Sequence, residues 1–81
     1  MQVELYYYDA CPYCQRVLRA LDELGLRVVM KNTLTNPAFR DEQRALTGRA
    51  TVPMLKIDGE PMFESADIVA WLRANHDRLR N

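Results

Sequence analysis

The chain has 81 residues, of which 48% are hydrophobic and 27% charged, a balance that is typical of a globular domain and excludes a disordered chain. Its 11 basic and 11 acidic residues give a net charge of zero, so neither nucleic acid nor an anionic membrane is an expected partner. The sequence shows no apolar run long enough to span a bilayer and no basic, apolar leader. We expect one domain over residues 1–81, in a monomeric, cytoplasmic protein.

Strand and helix patterns alternate along the chain, which predicts a single α/β layer structure. The first strand–helix–strand unit predicts a parallel pair of strands, and Asp58-Gly59 predicts a tight hairpin that adds an antiparallel pair. The expected product is a four-stranded mixed sheet flanked by three helices in the order β-α-β-α-β-β-α, with a solvated tail after Asn75. The predicted strands are residues 2–7, 26–30, 54–57 and 60–63, and the predicted helices are 12–24, 37–47 and 66–75.

Short-range signals mark the ends of these elements. Gly25 and Gly48 follow the first two helices, at the position where a left-handed residue commonly ends a helix. Asn36-Pro37 is typical of an N-cap followed by a proline in the first helical turn. Ser65 is the predicted cap of the last helix. The second helix is mostly polar, so we expect it to cover one edge of the domain.

The chain has two cysteines, Cys11 and Cys14, three positions apart where the first strand passes into the first helix. Two cysteines at this spacing beside a βαβ pattern are typical of a redox pair. Pro12 suits the first helical position, which makes Cys11 the expected N-cap. Its sulfur then faces unpaired backbone N–H groups and the positive end of the helix dipole, and both favour the thiolate. Cys14 lies one turn further in, within reach of a disulfide with Cys11.

Three motifs stand out along the chain: Cys11-Pro12-Tyr13-Cys14, Thr51-Val52-Pro53 and Glu64-Ser65-Ala66-Asp67. Together they resemble a glutaredoxin of the thioredoxin fold, and the resemblance covers essentially the whole chain. In the third motif this chain differs from glutaredoxins, which usually have a pair of small residues before the final helix. The run Phe63-Glu64-Ser65 is more similar to the glutathione-binding Glu-Ser pair of glutathione transferase N-terminal domains.

The resemblance implies a glutathione-dependent thiol–disulfide oxidoreductase that reduces protein or small-molecule disulfides and glutathione mixed disulfides. In such an enzyme Cys11 is the nucleophile that attacks the disulfide, and Cys14 is the resolving thiol. Glutathione is the reductant, disulfide-containing or glutathionylated proteins are the partners, and no metal is expected. The implied glutathione-binding residues are Tyr13, Arg40, Thr51, Val52, Pro53, Glu64, Ser65 and Asp67.

Each implied contact has a physical basis. A cis Pro53 makes a sharp turn beside the sulfurs and leaves the preceding backbone free to pair with the cysteinyl part of glutathione as an added strand. Backbone N–H groups at the start of the last helix, with the Ser65 hydroxyl, suit the γ-glutamyl carboxylate. Asp67 or Glu64 suits the ammonium group of the same residue. Arg40 suits the glycine carboxylate, because a guanidinium group forms a two-pronged contact.

Two departures from the glutaredoxin pattern concern the reactive thiol and the γ-glutamyl end. Tyr8 stands where glutaredoxins commonly have a lysine, so activation of the thiolate is expected to depend more on the helix terminus. The neighbouring Asp9 disfavours the thiolate of Cys11. Phe63 and Glu64 replace small residues, and they add bulk and a negative charge.

Other interpretations remain open. The chain is also similar to the N-terminal half of a glutathione transferase, which suggests a glutathione-binding or partner-binding module with little turnover. A thioredoxin-type reductant is a third reading, although its usual Trp-Cys-Gly-Pro-Cys motif is absent. Cys11 and Cys14 are also half of a possible zinc site, with His76 as a third ligand, or ligands of an iron–sulfur cluster shared between two chains. Ser65 and Asp67 also have a complete explanation as capping residues of the last helix, and it is the family resemblance that favours a binding role for them.

Overall fold

The structure is a computed structural model that describes residues 1–80. Four strands form one sheet in the order β2-β1-β3-β4. Strand β1 pairs parallel with β2 and antiparallel with β3, and β3 pairs antiparallel with β4. The predicted thioredoxin-like architecture is therefore confirmed. The elements are β1 (Val3–Tyr7), α1 (Pro12–Leu24), β2 (Val29–Asn32), α2 (Pro37–Thr47), β3 (Met54–Ile57), β4 (Glu60–Met62), α3 (Ser65–Ala74) and α4 (His76–Leu79).

Two segments differ from the sequence prediction. Strand β2 begins at Val29 rather than at residue 26, because Leu26 belongs to the ending of α1, where its N–H donates to the carbonyl oxygen of Leu21 at 2.9 Å. The side chain of Leu26 is buried in the core. A short helix, α4, replaces the predicted solvated tail, because Leu79 packs against the core.

The hydrophobic core lies on one face of the sheet, under α1 and α3. Side chains of β1 alternate between the two faces, so that Val3 and Leu5 belong to this core while Glu4 and Tyr6 belong to the other face. The residues of the core cluster are Val3, Leu5, Val17, Leu21, Leu26, Leu55, Ile68 and Leu72.

Helix α2 lies over the opposite face and is held there by ion pairs. The ammonium group of Lys31 lies 2.8 Å from Glu4 and 2.6 Å from Glu42, and that of Lys56 lies 3.2 Å and 3.3 Å from the same two carboxylates. The hydroxyl of Tyr6 donates to Glu42 as well. Both lysines of the chain are thus engaged beneath α2.

Candidate functional site

Cys11 is the N-cap of α1, as predicted from the sequence. Its backbone is extended, and its Sγ accepts a hydrogen bond of 3.3 Å from the N–H of Cys14. Pro12 occupies the first helical position, where no N–H partner is needed. The sulfur therefore lies at the positive end of the helix dipole, in contact with a backbone donor that stabilises a thiolate.

The two cysteines differ in their surroundings, although both are free thiols. Cys14 is completely buried, whereas Cys11 keeps 6% of its surface exposed. Burial raises the pKa of Cys14 to about 12, and the neighbouring Cys11 and Asp9 contribute to the increase. Cys14 is therefore a neutral thiol at neutral pH, and Cys11 is the more exposed of the two cysteines.

The loop before β3 lies against the reactive cysteine. The Val52–Pro53 peptide bond is cis, as the sequence resemblance implies. The carbonyl oxygen of Val52 lies 4.0 Å from the Sγ of Cys11. One residue earlier, the carbonyl oxygen of Thr51 accepts a hydrogen bond of 2.7 Å from the side-chain amide of Gln43 in α2. The position of this loop therefore depends on α2 as well as on the sheet.

The start of α3 differs from the prediction, because Ser65 is the first helical residue and Glu64 is the N-cap. The backbone of Glu64 has a φ of +72°, a conformation that residues other than glycine rarely adopt. No side chain caps this helix, whereas Cys11 caps α1 and Asn36 caps α2. The first N–H groups of α3 are thus left without a side-chain acceptor, which favours the binding of an anion there.

These elements enclose a groove of about 400 Å³ beside Cys11. Six of the sequence-predicted glutathione residues line it, including Tyr13 from α1. Arg40, which is exposed on α2, and Asp67, which is exposed in the first turn of α3, do not line it. The lining residues are Tyr13, Arg16, Arg49, Thr51, Val52, Pro53, Phe63, Glu64, Ser65 and Ala66.

Two arginines of the groove were not identified from the sequence. The guanidinium of Arg49 lies 3.7 Å from the centre of the Phe63 ring, and that of Arg16 lies 5.4 Å from the centre of the Tyr13 ring, as in cation–π contacts. The spacing of Arg16, one helical turn after Tyr13, is a signal that could have revealed it. Arg49 has no comparable local signal, because only the fold brings it to Phe63.

The surroundings of the thiol lack the lysine that is common in glutaredoxins, since Lys31 and Lys56 both lie under α2. Tyr8 is half-buried, and Asp9 is exposed, with its carboxylate 3.4 Å from the side-chain amide of Asn32. The favourable contact seen at the sulfur of Cys11 is with the N-terminus of α1.

Within residues 1–80, no three His, Cys, Asp or Glu side chains come close enough together to hold a metal ion. His76 lies in α4 with its Nδ1 at 3.4 Å from the carboxylate of Asp77. Over the same residues, none of the helices combines the length and the apolar character that crossing a membrane requires.

Residues 5–79 match the family model described as the N-terminal domain of glutathione S-transferase. Glutaredoxin 3 of Escherichia coli (strain K12) is 34% identical over 68 residues, which are 84% of this chain and 82% of that protein.

Solved structures of transferases share the fold. A glutathione transferase homolog from Drosophila mojavensis with bound glutathione is 26% identical, with a TM-score of 0.75 over 93% of this chain and 35% of that chain. Glutathione transferase Omega 3C from Trametes versicolor has a TM-score of 0.80 at 23% identity, over 100% of this chain and 36% of that chain, which shows a likeness of fold. The chain thus spans about a third of the length of these transferases.

Proposed function

The chain belongs to the glutaredoxins of the thioredoxin-fold superfamily and to the glutathione S-transferase N-terminal domain family, and from this we propose that it is a glutathione-dependent thiol–disulfide oxidoreductase. The observation that carries the proposal is the arrangement of the two sulfurs. Cys11 accepts the N–H of Cys14 at the start of α1, while Cys14 is buried and neutral one turn inside. One sulfur is thereby suited to attack, and the other to resolve.

In the proposed reaction the thiolate of Cys11 attacks the glutathione sulfur of a mixed disulfide. The S–S bond breaks, the substrate sulfur leaves as a thiolate that takes up a proton, and Cys11 becomes disulfide-bonded to glutathione. The thiolate of a second glutathione attacks the sulfur of the bound glutathione, which forms oxidised glutathione and restores the Cys11 thiolate.

With a protein disulfide as substrate, the thiolate of Cys11 attacks one of its sulfurs, the S–S bond breaks, and the other sulfur leaves as a thiolate that takes up a proton. Cys14 then loses its proton and attacks the sulfur of Cys11, which forms the Cys11–Cys14 disulfide and releases the second substrate thiol. Two molecules of glutathione reduce this disulfide and become oxidised glutathione. Because the pKa of Cys14 is about 12, few of these thiols are ionised at neutral pH. Cys14 therefore has to give up its proton in order to attack the sulfur of Cys11.

The groove supports a binding mode for glutathione. The uncapped N–H groups at the start of α3, with Ser65, take the γ-glutamyl carboxylate. The backbone of Val52 pairs with the cysteinyl part, and Glu64 takes the ammonium group. Arg16 and Arg49 line the groove and offer guanidinium groups to a carboxylate of the tripeptide. Arg40 and Asp67 stay predictions, since neither lines the groove.

The experiment that tests this function measures reduction of the mixed disulfide between glutathione and a small thiol, in the presence of glutathione and glutathione reductase. We expect turnover by the wild-type protein and none by Cys11→Ser. Cys14→Ser should retain most of this activity but lose the reduction of protein disulfides to dithiols. An unchanged rate for Cys11→Ser would refute the nucleophile assignment, and equal loss of both activities in Cys14→Ser would refute the division of roles.

A second candidate is a glutathione-binding module with little turnover. It is favoured by the match of residues 5–79 to a transferase N-terminal domain. An NMR titration with glutathione distinguishes the two. Both candidates require shifts of the Val52, Ser65 and Asp67 amides, but only the oxidoreductase also turns over the mixed disulfide. Shifts confined to Cys11 and Tyr13 would argue against the γ-glutamyl site in either case.

A further inference from the structure

A second groove, of about 410 Å³, lies between α1 and α3. It meets the glutathione groove, because Arg16, Ser65 and Ala66 line both. Small or apolar side chains, Ala20 and Val69 among them, also line it. The two grooves are therefore adjacent, and an extended peptide in the second groove can reach towards the first.

The charges along this groove are unbalanced, although the whole chain has a net charge of zero. Arg16, Arg19 and Arg73 line it against a single carboxylate, that of Glu23. Arg73 lies 3.5 Å from Glu23, and each of these two side chains is more than half exposed. Such an exposed pair is weak and open to competition by other carboxylates. The groove therefore presents an excess of positive charge to whatever binds in it.

We propose that the groove between α1 and α3 binds an acidic segment of the protein substrate, next to the cysteine that is reduced. This inference rests on the proposed function, since the substrate cysteine has to reach Cys11. Arg19 lies eight residues after Cys11, or roughly 12 Å along the helix axis. An extended chain covers that distance in about four residues. The acidic residues of a preferred substrate therefore lie about four positions from its cysteine.

The same charges argue against a second copy of this chain as the occupant. A face-to-face dimer would place the arginine-rich walls of two identical grooves against each other, with one Glu23 from each copy to offset them. Like charges in such proximity oppose association. An acidic peptide, in contrast, matches three guanidinium groups that already lie on both sides of the groove.

The test compares two synthetic peptides of equal length, each with one glutathionylated cysteine. One has glutamates at the third and fourth positions after the cysteine, and the other has lysines there. At low ionic strength we expect the wild-type kcat/KM to be roughly tenfold higher for the acidic peptide, and salt to reduce the difference. Equal values for the two peptides would overturn the proposal.

Charge-reversed variants locate the effect. Arg19→Glu combined with Arg73→Glu should reverse the preference between the peptides, while the rate with the small mixed disulfide, which does not reach these residues, stays unchanged. Arg27→Glu with Arg80→Glu is the matched control, because it makes the same change of charge at the other end of α1. Loss of the preference in this control, or its survival in the Arg19 and Arg73 variant, would show that the groove is not responsible.

A binding measurement separates this inference from the proposed function. Peptides with serine in place of the cysteine cannot react, and the acidic one should shift the amide signals of Ala20, Ala66 and Val69 in an NMR titration. Selective shifts without any turnover would support the groove and reject the oxidoreductase. Absent or equal shifts for the two peptides would reject the groove whether or not turnover occurs. A dimer in sedimentation that the Arg19 and Arg73 variant dissociates would also overturn the proposal.

Discussion

The side-chain amide of Gln43 in α2 donates a hydrogen bond of 2.7 Å to the carbonyl oxygen of Thr51, which lies in a wall of the groove beside Cys11. Gln43 is completely buried, and its Oε1 has no hydrogen-bond partner within the described part of the chain. An unpaired buried polar atom destabilises a fold by about 1–3 kcal/mol. We therefore expect the polar side chain of Gln43 to hold the loop at Thr51 in place rather than to stabilise the core.

We expect Gln43→Leu to raise the KM for the mixed disulfide several-fold and to leave kcat nearly unchanged. The loop loses an anchor that supports ground state and transition state alike. The free energy of unfolding should change by less than about 1 kcal/mol, because the leucine replaces an unpaired polar atom by apolar contact. Steady-state kinetics measure KM and kcat, and chemical unfolding measures the free energy of unfolding. Gln2→Leu, at an exposed position, is the control, and an unchanged KM in Gln43→Leu contradicts the anchoring role.

Alkylation should distinguish the two cysteines. Iodoacetamide at pH 7 is expected to modify Cys11 in the folded protein and to leave Cys14 unmodified, because Cys14 is buried and its pKa is raised to about 12. In denaturant both should react. Mass spectrometry of the digested protein gives the extent of labelling at each cysteine, and equal labelling of both residues in the folded protein would contradict the assignment.

The raised pKa of Cys14 also predicts a dependence of stability on pH. Since the pKa of Cys14 in the folded protein exceeds the ordinary value of 9.0, the free energy of unfolding should fall as the pH rises from about 9 towards 12.

Glu64 provides a test of backbone strain at the groove. Glycine adopts a φ of +72° without a steric penalty, so Glu64→Gly should increase the free energy of unfolding by about 1 kcal/mol. Glu64→Gln retains the unfavourable positive φ at residue 64 and should leave the free energy of unfolding unchanged. Both variants remove the carboxylate that we propose to bind the ammonium group of the γ-glutamyl residue of glutathione. Both should therefore raise the KM for the mixed disulfide. Equal melting temperatures for the Gly and Gln variants would show that residue 64 is not strained.

The ion pairs beneath α2 predict a dependence of stability on pH. Hydrogen bonds from Lys31, and then from Tyr6, lower the pKa of Glu42 to about 2. A lowered pKa contributes stability that is present above the ordinary value of 4.5 and is lost as the pH falls towards 2. Glu42→Gln should therefore reduce the free energy of unfolding at pH 7, by about 1 kcal/mol, because the carboxylate is partly exposed and screened.

Urea unfolding at pH 7, 4 and 2.5 measures this effect. The difference between the wild type and Glu42→Gln should shrink towards zero at the lowest pH. Asp41→Asn, at the exposed neighbouring position in α2, is the matched control and should show little difference at pH 7. A difference for Glu42→Gln that stays constant over the whole range would contradict the ion-pair explanation.

Features that depend on neighbouring residues were predictable from the sequence. The cap at Cys11, the helix start at Pro12 and the hairpin at Asp58-Gly59 are all present, because a proline φ, a capping atom and a left-handed turn are local properties. The cap of α3 was not predictable in this way. Glu64 adopts a backbone conformation that its own side chain disfavours, so the surrounding structure must impose it.

The sequence by itself determined the order of strands and helices, the pair of cysteines at the start of α1 and the family to which the chain belongs, since all of these follow from local patterns and short motifs. The tertiary structure alone decided that Arg49 lines the groove and Arg40 does not, and that the buried Gln43 supports the loop at Thr51. No local pattern indicates these contacts, because only the packing of the helices on the sheet makes them.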